Sequence, residues 1–479
     1  MEPGHLRFGG GFSSTVLHPL VAVAMLVAIA SILALPRKYV IVPLLLGAFL
    51  VPVGQVLVVT GFHLTVLRIL ILFGLARVIS LDGWRGVGTV AGRLNSVDKA
   101  FVLWAFFYAL TFVLLYMETP ALVNRLGFLV DTLGGYLLLR SLIRNEEDMR
   151  RVTKLFALIS VVMAGCMINE QLTRQNIFWA LGGGFRLDGT SMSLSDVRAG
   201  QVRSQGVFVV YILAGLFGAT LLPLFGWLWK HGESRIVAIA GVISSVIIVL
   251  TSHSSTPLVA CAAGVVGFCF WPLRGRMRIV CWIIVITLLG LQIAMKADVW
   301  WLIAHVDLTG ASTSYDRAAL IDNFVKHFGD WWLLGARQYN TWGFNMWDLC
   351  NQYVMCGQQG GLITLVLFIA IISRSFRRLG VARKLVAGER KNEWLLWLLG
   401  VALFVHVAGY FGAAYDSQMD IVWFVLLASI SAATSEIGSR VAVLEGNFSA
   451  RDLGAPALAT KERWLALEET TASREGVQA

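Results

Sequence analysis

The chain has 479 residues, of which 57% are hydrophobic and only 14% are charged, and its mean hydropathy is +0.72. This composition excludes a soluble globular protein, because too few polar side chains remain to cover a water-exposed surface. The formal net charge of +10 does not require nucleic acid, since no nucleic-acid motif accompanies it and basic loops beside membrane spans account for it.

Apolar runs of helical length follow one another along most of the chain, and each approaches the roughly 20 residues that cross a bilayer as a helix. They predict an all-α, polytopic transmembrane helical bundle of about 12–14 spans over residues 1–436, with a partly helical extracytoplasmic loop. The thirteen predicted spans lie near 14–35, 40–60, 63–81, 100–117, 121–142, 152–169, 206–228, 235–252, 256–272, 279–296, 360–373, 394–413 and 419–436. The second is interrupted by Pro43 and Pro52, so a re-entrant hairpin is an alternative there.

Lysine and arginine in short connections predict which side faces the cytoplasm. One set of alternating loops is rich in both, above all the segment 374–391, whereas the opposite set is nearly bare outside two long loops near 170–205 and 297–359. We therefore predict that the N-terminus lies outside and that both long loops lie on the outer face. The polar segment 437–479 is predicted to be a flexible cytoplasmic tail.

Neither a metal site nor a nucleotide-binding site is indicated. The six cysteines show no CxxC spacing and no neighbouring histidine, and the glycine-rich run at 182–185 lacks the lysine of a phosphate loop. No cofactor is therefore expected.

The second long loop is where chemistry is most strongly indicated. Its segment 316–328 carries a helical apolar stripe, and arginines, tryptophans and tyrosines follow it. Guanidinium groups bind diphosphate oxygens in bidentate fashion, and aromatic faces pack on sugar rings. The alternative for any single tryptophan is an interfacial belt residue.

Residues 312–364 resemble the signature region of the O-antigen ligase and O-antigen polymerase superfamily, membrane glycosyltransferases of the GT-C type. Arg317 matches the loop arginine and Leu334-Gly335 its turn, while Gly361 matches the glycine that enters the next span. Further matches are Asn351, Tyr353, the Arg-x-x-Gly stretch that begins at Arg203, and the serine-rich stretch after His253.

This resemblance implies a GT-C-like fold and a metal- and nucleotide-independent transfer of a glycan from a polyprenyl diphosphate to a glycan or lipid-linked acceptor. It implies that Arg203 and Arg317 stabilise the leaving diphosphate. Arg198, Arg337, Asn351, Tyr353 and His327 are expected to bind substrate. A chain-length regulator or another assembly protein is a possible partner.

Two positions depart from the pattern of the superfamily. Cys350 stands where the usual histidine is found, and Gln359 stands at the acidic position. The departures favour a polymerase over a ligase, and they leave Asp348, His327 and Asp316 as candidates for the base that takes the acceptor proton. For Asp348 the alternative is a solvated carboxylate, and for Asn351 it is a helix cap.

Ionisable residues within predicted spans must face protein or water. Arg125 and Asp131 form either part of a lipid-diphosphate groove or a structural ion-pair network. A transporter or flippase for lipid-linked oligosaccharides is the alternative function, although the chain shows no pair of related halves. A non-catalytic membrane subunit of an export complex is a third.

Overall fold

The computed structural model describes residues 15–59, 62–90, 94–182, 196–198, 200–230, 234–305, 314–343, 346 and 350–453, with backbone only for 81–90 and 439–453. Helices dominate these residues, as predicted. They are α1 Pro19–Ala34, α2 Arg37–Leu50, α3 Val66–Val90, α4 Ser96–Tyr116, α5 Thr119–Leu129, α6 Gly135–Leu142, α7 Glu146–Thr173, α8 Tyr211–Lys230, α9 Arg235–Thr251, α10 Ser255–Cys269, α11 Met277–Ala294, α12 Ser314–Lys326, α13 Phe328–Trp331, α14 Gln352–Leu385, α15 Arg390–Gly409 and α16 Gln418–Leu453.

Eight helical segments of the described residues are long and apolar enough to cross a membrane. Three shorter apolar helices, α1, α9 and α10, accompany them. Each of the thirteen predicted spans overlaps one helix of the bundle, except that α5 and α6 share one span through the π-helical turn Val130–Gly134. The all-α polytopic bundle predicted from the sequence is therefore confirmed.

The second predicted span, 40–60, is wrong in its second half. α2 ends at Leu50, and the antiparallel strands β1 Val56–Val59 and β2 Phe62–Thr65 follow it. Pro52 lies directly after the helix, where it cannot continue the hydrogen-bond ladder, and β-branched valines favour the extended strand that follows. A β-hairpin therefore occupies the second half of that predicted span.

The short basic connections come together at one end of the bundle, which we call the basic end. Arg37 reaches Asp148 at 3.3 Å, Arg274 reaches Glu393 at 3.5 Å, and Lys391 lies 3.7 Å from Glu146. α16 continues past residue 436, where the sequence predicts a tail to begin, as far as Leu453.

The opposite end, which we call the loop end, carries the hairpin β1–β2, the two long connections and the turn between α15 and α16. α12 and α13 form a small layer there, with a core of Leu320, Phe324, Trp331, Met346 and Val354. The main core lies below that layer, around α8 and α16, whereas α11 has no buried residue along its length.

Candidate functional site

Two glycines fix the layer of α12 and α13 to the bundle. Gly335 has φ 105° and Gly361 has φ 75°, a backbone region that favours glycine. A Cβ at Gly335 would lie 2.2 Å from the carbonyl oxygen of Gln358, and one at Gly361 would lie 2.4 Å from that of Leu333. The Leu334-Gly335 turn therefore packs directly on the irregular point of α14, which explains why both positions require glycine.

A buried carboxylate holds the end of the first long connection against the bundle. The Glu170 side chain, at the end of α7, accepts the backbone N–H groups of Gln205 and Gly206 at 3.1 and 3.0 Å. The side-chain amide of Gln171 donates to the Val202 carbonyl at 2.7 Å. These bonds hold residues 202–206 against the ends of α7 and α9, and they position Arg203.

The Arg203 guanidinium is 9% exposed and lies 3.3 Å from the centre of the Tyr211 ring. Its Nε has no hydrogen-bond partner in the described part of the chain. Arg198 and Arg317 both lie within electrostatic range of it, as do Tyr211 and Asp196. Two predicted residues from separate loops, Arg203 and Arg317, are thus brought together by the fold.

Burial lowers the pKa of Arg203 to about 10, and the positive charges of Arg198 and Arg317 add to this effect. The side chain therefore remains charged at neutral pH. Burial and then the charge of Arg203 also lower the pKa of His253, which lies in the turn between α9 and α10. We call Arg198, Arg203, Tyr211, His253, Arg317 and Cys350 the Arg203 centre, because the Cys350 thiol lies within electrostatic range of Tyr211.

Asn351 and Tyr353, predicted to bind substrate, have structural contacts. The Asn351 side chain caps α14, since its Oδ1 accepts the N–H groups of Tyr353 at 2.9 Å and Val354 at 3.1 Å. The Tyr353 hydroxyl donates to the Val407 carbonyl at 3.2 Å. Both residues stand directly beyond Cys350 and support the start of α14.

Two other predicted residues lie away from these contacts. The Arg337 Nε donates to the Leu115 carbonyl at 2.7 Å, at the C-terminal end of α4, and its guanidinium lies 5.3 Å from the Tyr116 ring. The His327 ring stacks on Trp342 with 5.1 Å between ring centres. Asp348, predicted to be catalytic, lies outside the described residues.

A second arginine site at the loop end was only partly anticipated. The Arg125 guanidinium is 7% exposed and donates to the side-chain oxygen of Gln359 at 3.2 Å, which also accepts the Tyr108 hydroxyl at 2.7 Å. The same guanidinium lies 3.4 Å from the centre of the Phe112 ring and 5.4 Å from that of Phe128. We call these five residues the Arg125 centre.

Asp131 pairs with Arg68 and not with Arg125. The Arg68 Nε lies 2.9 Å from Asp131 Oδ1, and Nη2 lies 2.5 Å from Oδ2. The structural ion-pair network considered for Asp131 is therefore present, but it does not include Arg125.

Sequence reasoning missed two carboxylates, Asp416 and Asp420, at the turn between α15 and α16. Asp420 lines a cavity of about 40 Å³ together with Thr132, Gln352 and Tyr415, which is room for about one water molecule. Asp416 is exposed at the turn, and its carboxylate accepts a hydrogen bond from the Ser417 hydroxyl at 3.0 Å. Two aspartates flanking a predicted outer turn were a usable signal in the sequence.

No protein-family model matches this chain, and neither does any curated protein. The geometry of the loop end therefore carries the functional argument.

Proposed function

We propose that the protein is a membrane glycosyltransferase that polymerises or, less favourably, ligates polyprenyl-diphosphate-linked oligosaccharide units. In this proposal the loop end faces the outside of a bacterial inner membrane, and the product is O-antigen or exopolysaccharide. The single observation that supports it best is the convergence of Arg198, Arg203 and Arg317 at one end of the bundle.

Besides the other two guanidinium groups, one carboxylate of the described residues, Asp196, lies within electrostatic range of Arg203, so positive charge is in excess there and favours an anionic ligand. A diphosphate carries enough negative charge to balance three guanidinium groups. Arg203 stacks on Tyr211, and that contact preorients its planar fork for phosphate oxygens.

In the proposed reaction the bond between the anomeric carbon of the donor and its diphosphate oxygen breaks, and the diphosphate leaves with the electron pair. An acceptor hydroxyl forms the new bond to the anomeric carbon and gives its proton to a base. The guanidinium groups stabilise the negative charge that develops on the leaving oxygen, an effect worth about 3–4 kcal/mol per well-placed donor.

Asp348 and Asp316 remain predicted candidates for that base. The Arg203 centre supplies a third candidate in His253, because a lowered pKa keeps its imidazole neutral and able to accept a proton near pH 7. His327 also remains a predicted candidate, because its Nδ1 lies 2.9 Å from the Asn323 carbonyl oxygen and donates to it, which leaves Nε2 able to accept a proton.

A flippase or transporter is the second candidate, and one observation favours it. Asp131 and Asp420 are ionisable residues within the helical bundle and lie within electrostatic range of each other, an arrangement common along transport pathways.

The test is to replace Arg203 and Arg317 together by alanine in a strain that lacks the native copy, and to size the lipid-linked glycans of the cells. A polymerase predicts that long chains disappear and single lipid-linked units accumulate at the outer face. Free long chains not joined to their anchor indicate a ligase, and units trapped at the cytoplasmic face indicate a flippase.

The matched control removes two exposed lysines at the same end, Lys296 and Lys326, by alanine substitution. It takes away the same charge and should leave chain length unchanged. Normal long chains in the Arg203→Ala and Arg317→Ala double variant, at normal protein level, would overturn the proposal.

A further inference from the structure

We propose that the Arg125 centre is a second binding site at the loop end and that it takes the carboxylate of an acidic saccharide, such as a uronic acid residue. The assignment of that saccharide to a glycan substrate rests on the proposed function. The binding site itself rests on the contacts of Arg125.

Arg125 is a buried cation without a carboxylate. No acidic oxygen lies within 4.0 Å of its guanidinium in the described residues, whereas Arg140, buried to the same degree in the same bundle, has Asp98 at 3.5 Å. Taking an uncompensated charge out of water is costly, so a buried arginine normally has an acidic partner. The missing anion is therefore expected to come from outside the chain.

Arg125 uses only part of its hydrogen-bonding capacity within the described residues. A guanidinium has five N–H donors, and the side-chain partners of Arg125 there are the Gln359 oxygen and the Tyr108 hydroxyl, which itself donates to that oxygen. The Arg125 Nε is buried and has no partner in the described part of the chain. Aromatic contact with Phe112 lowers the cost of burying the charge, but it leaves the N–H groups free to bind.

The surroundings of the centre suit a sugar. Tyr108 and Tyr116 both lie within electrostatic range of Arg125, and the Tyr108 ring centre is 5.0 Å from its guanidinium. Gln358 is 1% exposed, and its carboxamide lies within hydrogen-bonding reach of the Tyr339 hydroxyl. Aromatic faces together with a buried amide group are components of a saccharide site.

The Arg125 centre and the Arg203 centre differ in charge. Three guanidinium groups meet around Arg203, which matches a diphosphate, whereas a single desolvated one lies among the rings of Tyr108, Phe112 and Phe128. One guanidinium balances one carboxylate and would leave a diphosphate with excess negative charge. We therefore infer a carboxylate at the Arg125 centre.

The test measures binding to the full-length protein in detergent by saturation-transfer NMR. The probes are cellobiouronic acid, the neutral disaccharide cellobiose, and inorganic phosphate as a competitor. We expect cellobiouronic acid to bind at least tenfold more tightly than cellobiose and to resist displacement by phosphate. Equal binding of the two disaccharides, or displacement by equimolar phosphate, would overturn the proposal.

Gln359→Glu is the decisive variant, because it supplies Arg125 with an internal carboxylate. We expect it to raise the melting temperature and to weaken binding of cellobiouronic acid at least tenfold. Gln175→Glu, at an exposed glutamine of the same end, is the matched control and should change neither quantity. A rise in melting temperature with unchanged binding would show that Arg125 is purely structural.

Failure of this inference and failure of the proposed function give different results. If cellobiouronic acid does not bind while the Arg203→Ala and Arg317→Ala double variant loses long chains, the second site is refuted and the transferase stands. If the acid binds and long chains persist in that double variant, the site stands without the transferase.

Discussion

Buried arginines at the two ends of the bundle have different partners. At the basic end Arg140 is 4% exposed and has Asp98 beside it, and the Asp98 carboxylate also accepts the Tyr136 hydroxyl. At the loop end Arg125 and Arg203 are buried almost as deeply, yet each stacks on an aromatic ring and has no carboxylate within 4.0 Å in the described residues.

This difference distinguishes an arginine that the fold explains from arginines that indicate a ligand. A carboxylate partner compensates the charge of Arg140 within the chain, so the pair is explained by the fold alone. Arg125 and Arg203 lack that compensation within the described residues, whereas a buried Nε without a hydrogen bond is common to all three arginines. Arg125 and Arg203 are therefore retained at a cost to stability, as is expected of arginines that bind an external anion.

The largest expected effect is at the basic end. Asp98→Asn should lower the free energy of unfolding by about 3–5 kcal/mol, because it leaves the buried Arg140 without its carboxylate. Denaturant titration of the detergent-solubilised protein measures this change, with the exposed Asp330→Asn as a control that should shift it little. A loss below about 1 kcal/mol would show that the pair differs little from an exposed one, and would remove the contrast between the two ends.

Arg203→Lys should have a smaller effect on folding and a clear effect on activity. Lysine keeps the positive charge but cannot stack on Tyr211 or bind two oxygens in a planar fork. We expect the rate of glycosyl transfer to fall about a hundredfold at an unchanged melting temperature. Arg174→Lys at the end of α7 is the control, and an undiminished rate for Arg203→Lys would mean that charge alone matters at this position.

The smallest effect concerns the titration of His253. Burial and the nearby Arg203 lower its pKa, so Arg203→Gln should raise that pKa toward its ordinary value of 6.5. Histidine-selective ¹⁵N NMR measures the shift. A pKa that does not move would place Arg203 too far from His253 to act in one centre.

The lowered pKa of His253 also determines how stability depends on pH. The unfolded chain binds a proton at this histidine more readily than the folded chain does, so stability falls as the pH drops below about 6.5 toward the folded pKa. Arg203→Gln should reduce that loss.

Part of the site could be predicted from the sequence. Arg203 and Arg317 lie in two separate loops, and the structure brings them within electrostatic range of each other. The resemblance to the glycosyltransferase superfamily also points to the Leu334-Gly335 turn and Gly361, whose close packing has a steric reason. The resemblance could predict these positions because it matches residue types in their order along the chain.

The Arg125 centre could not be predicted in the same way. The sequence places Arg125 and Asp131 six residues apart, which suggests a pair, but the fold turns Asp131 to Arg68 on a different helix. Which cation receives the carboxylate depends on how α3, α4, α5 and α14 meet, and no local pattern encodes that choice.

The sequence by itself determined that this chain is a multispan helical protein, because backbone groups in lipid must bond within their own helix and each span then needs about 20 apolar residues. Only the tertiary structure decided which helices are central. α11 and α16 are both strongly apolar, yet α11 has no buried residue while 89% of the residues in the candidate span of α16 are buried. Lipid is as apolar as a protein interior, so hydropathy cannot separate the two cases, and packing between helices makes the choice.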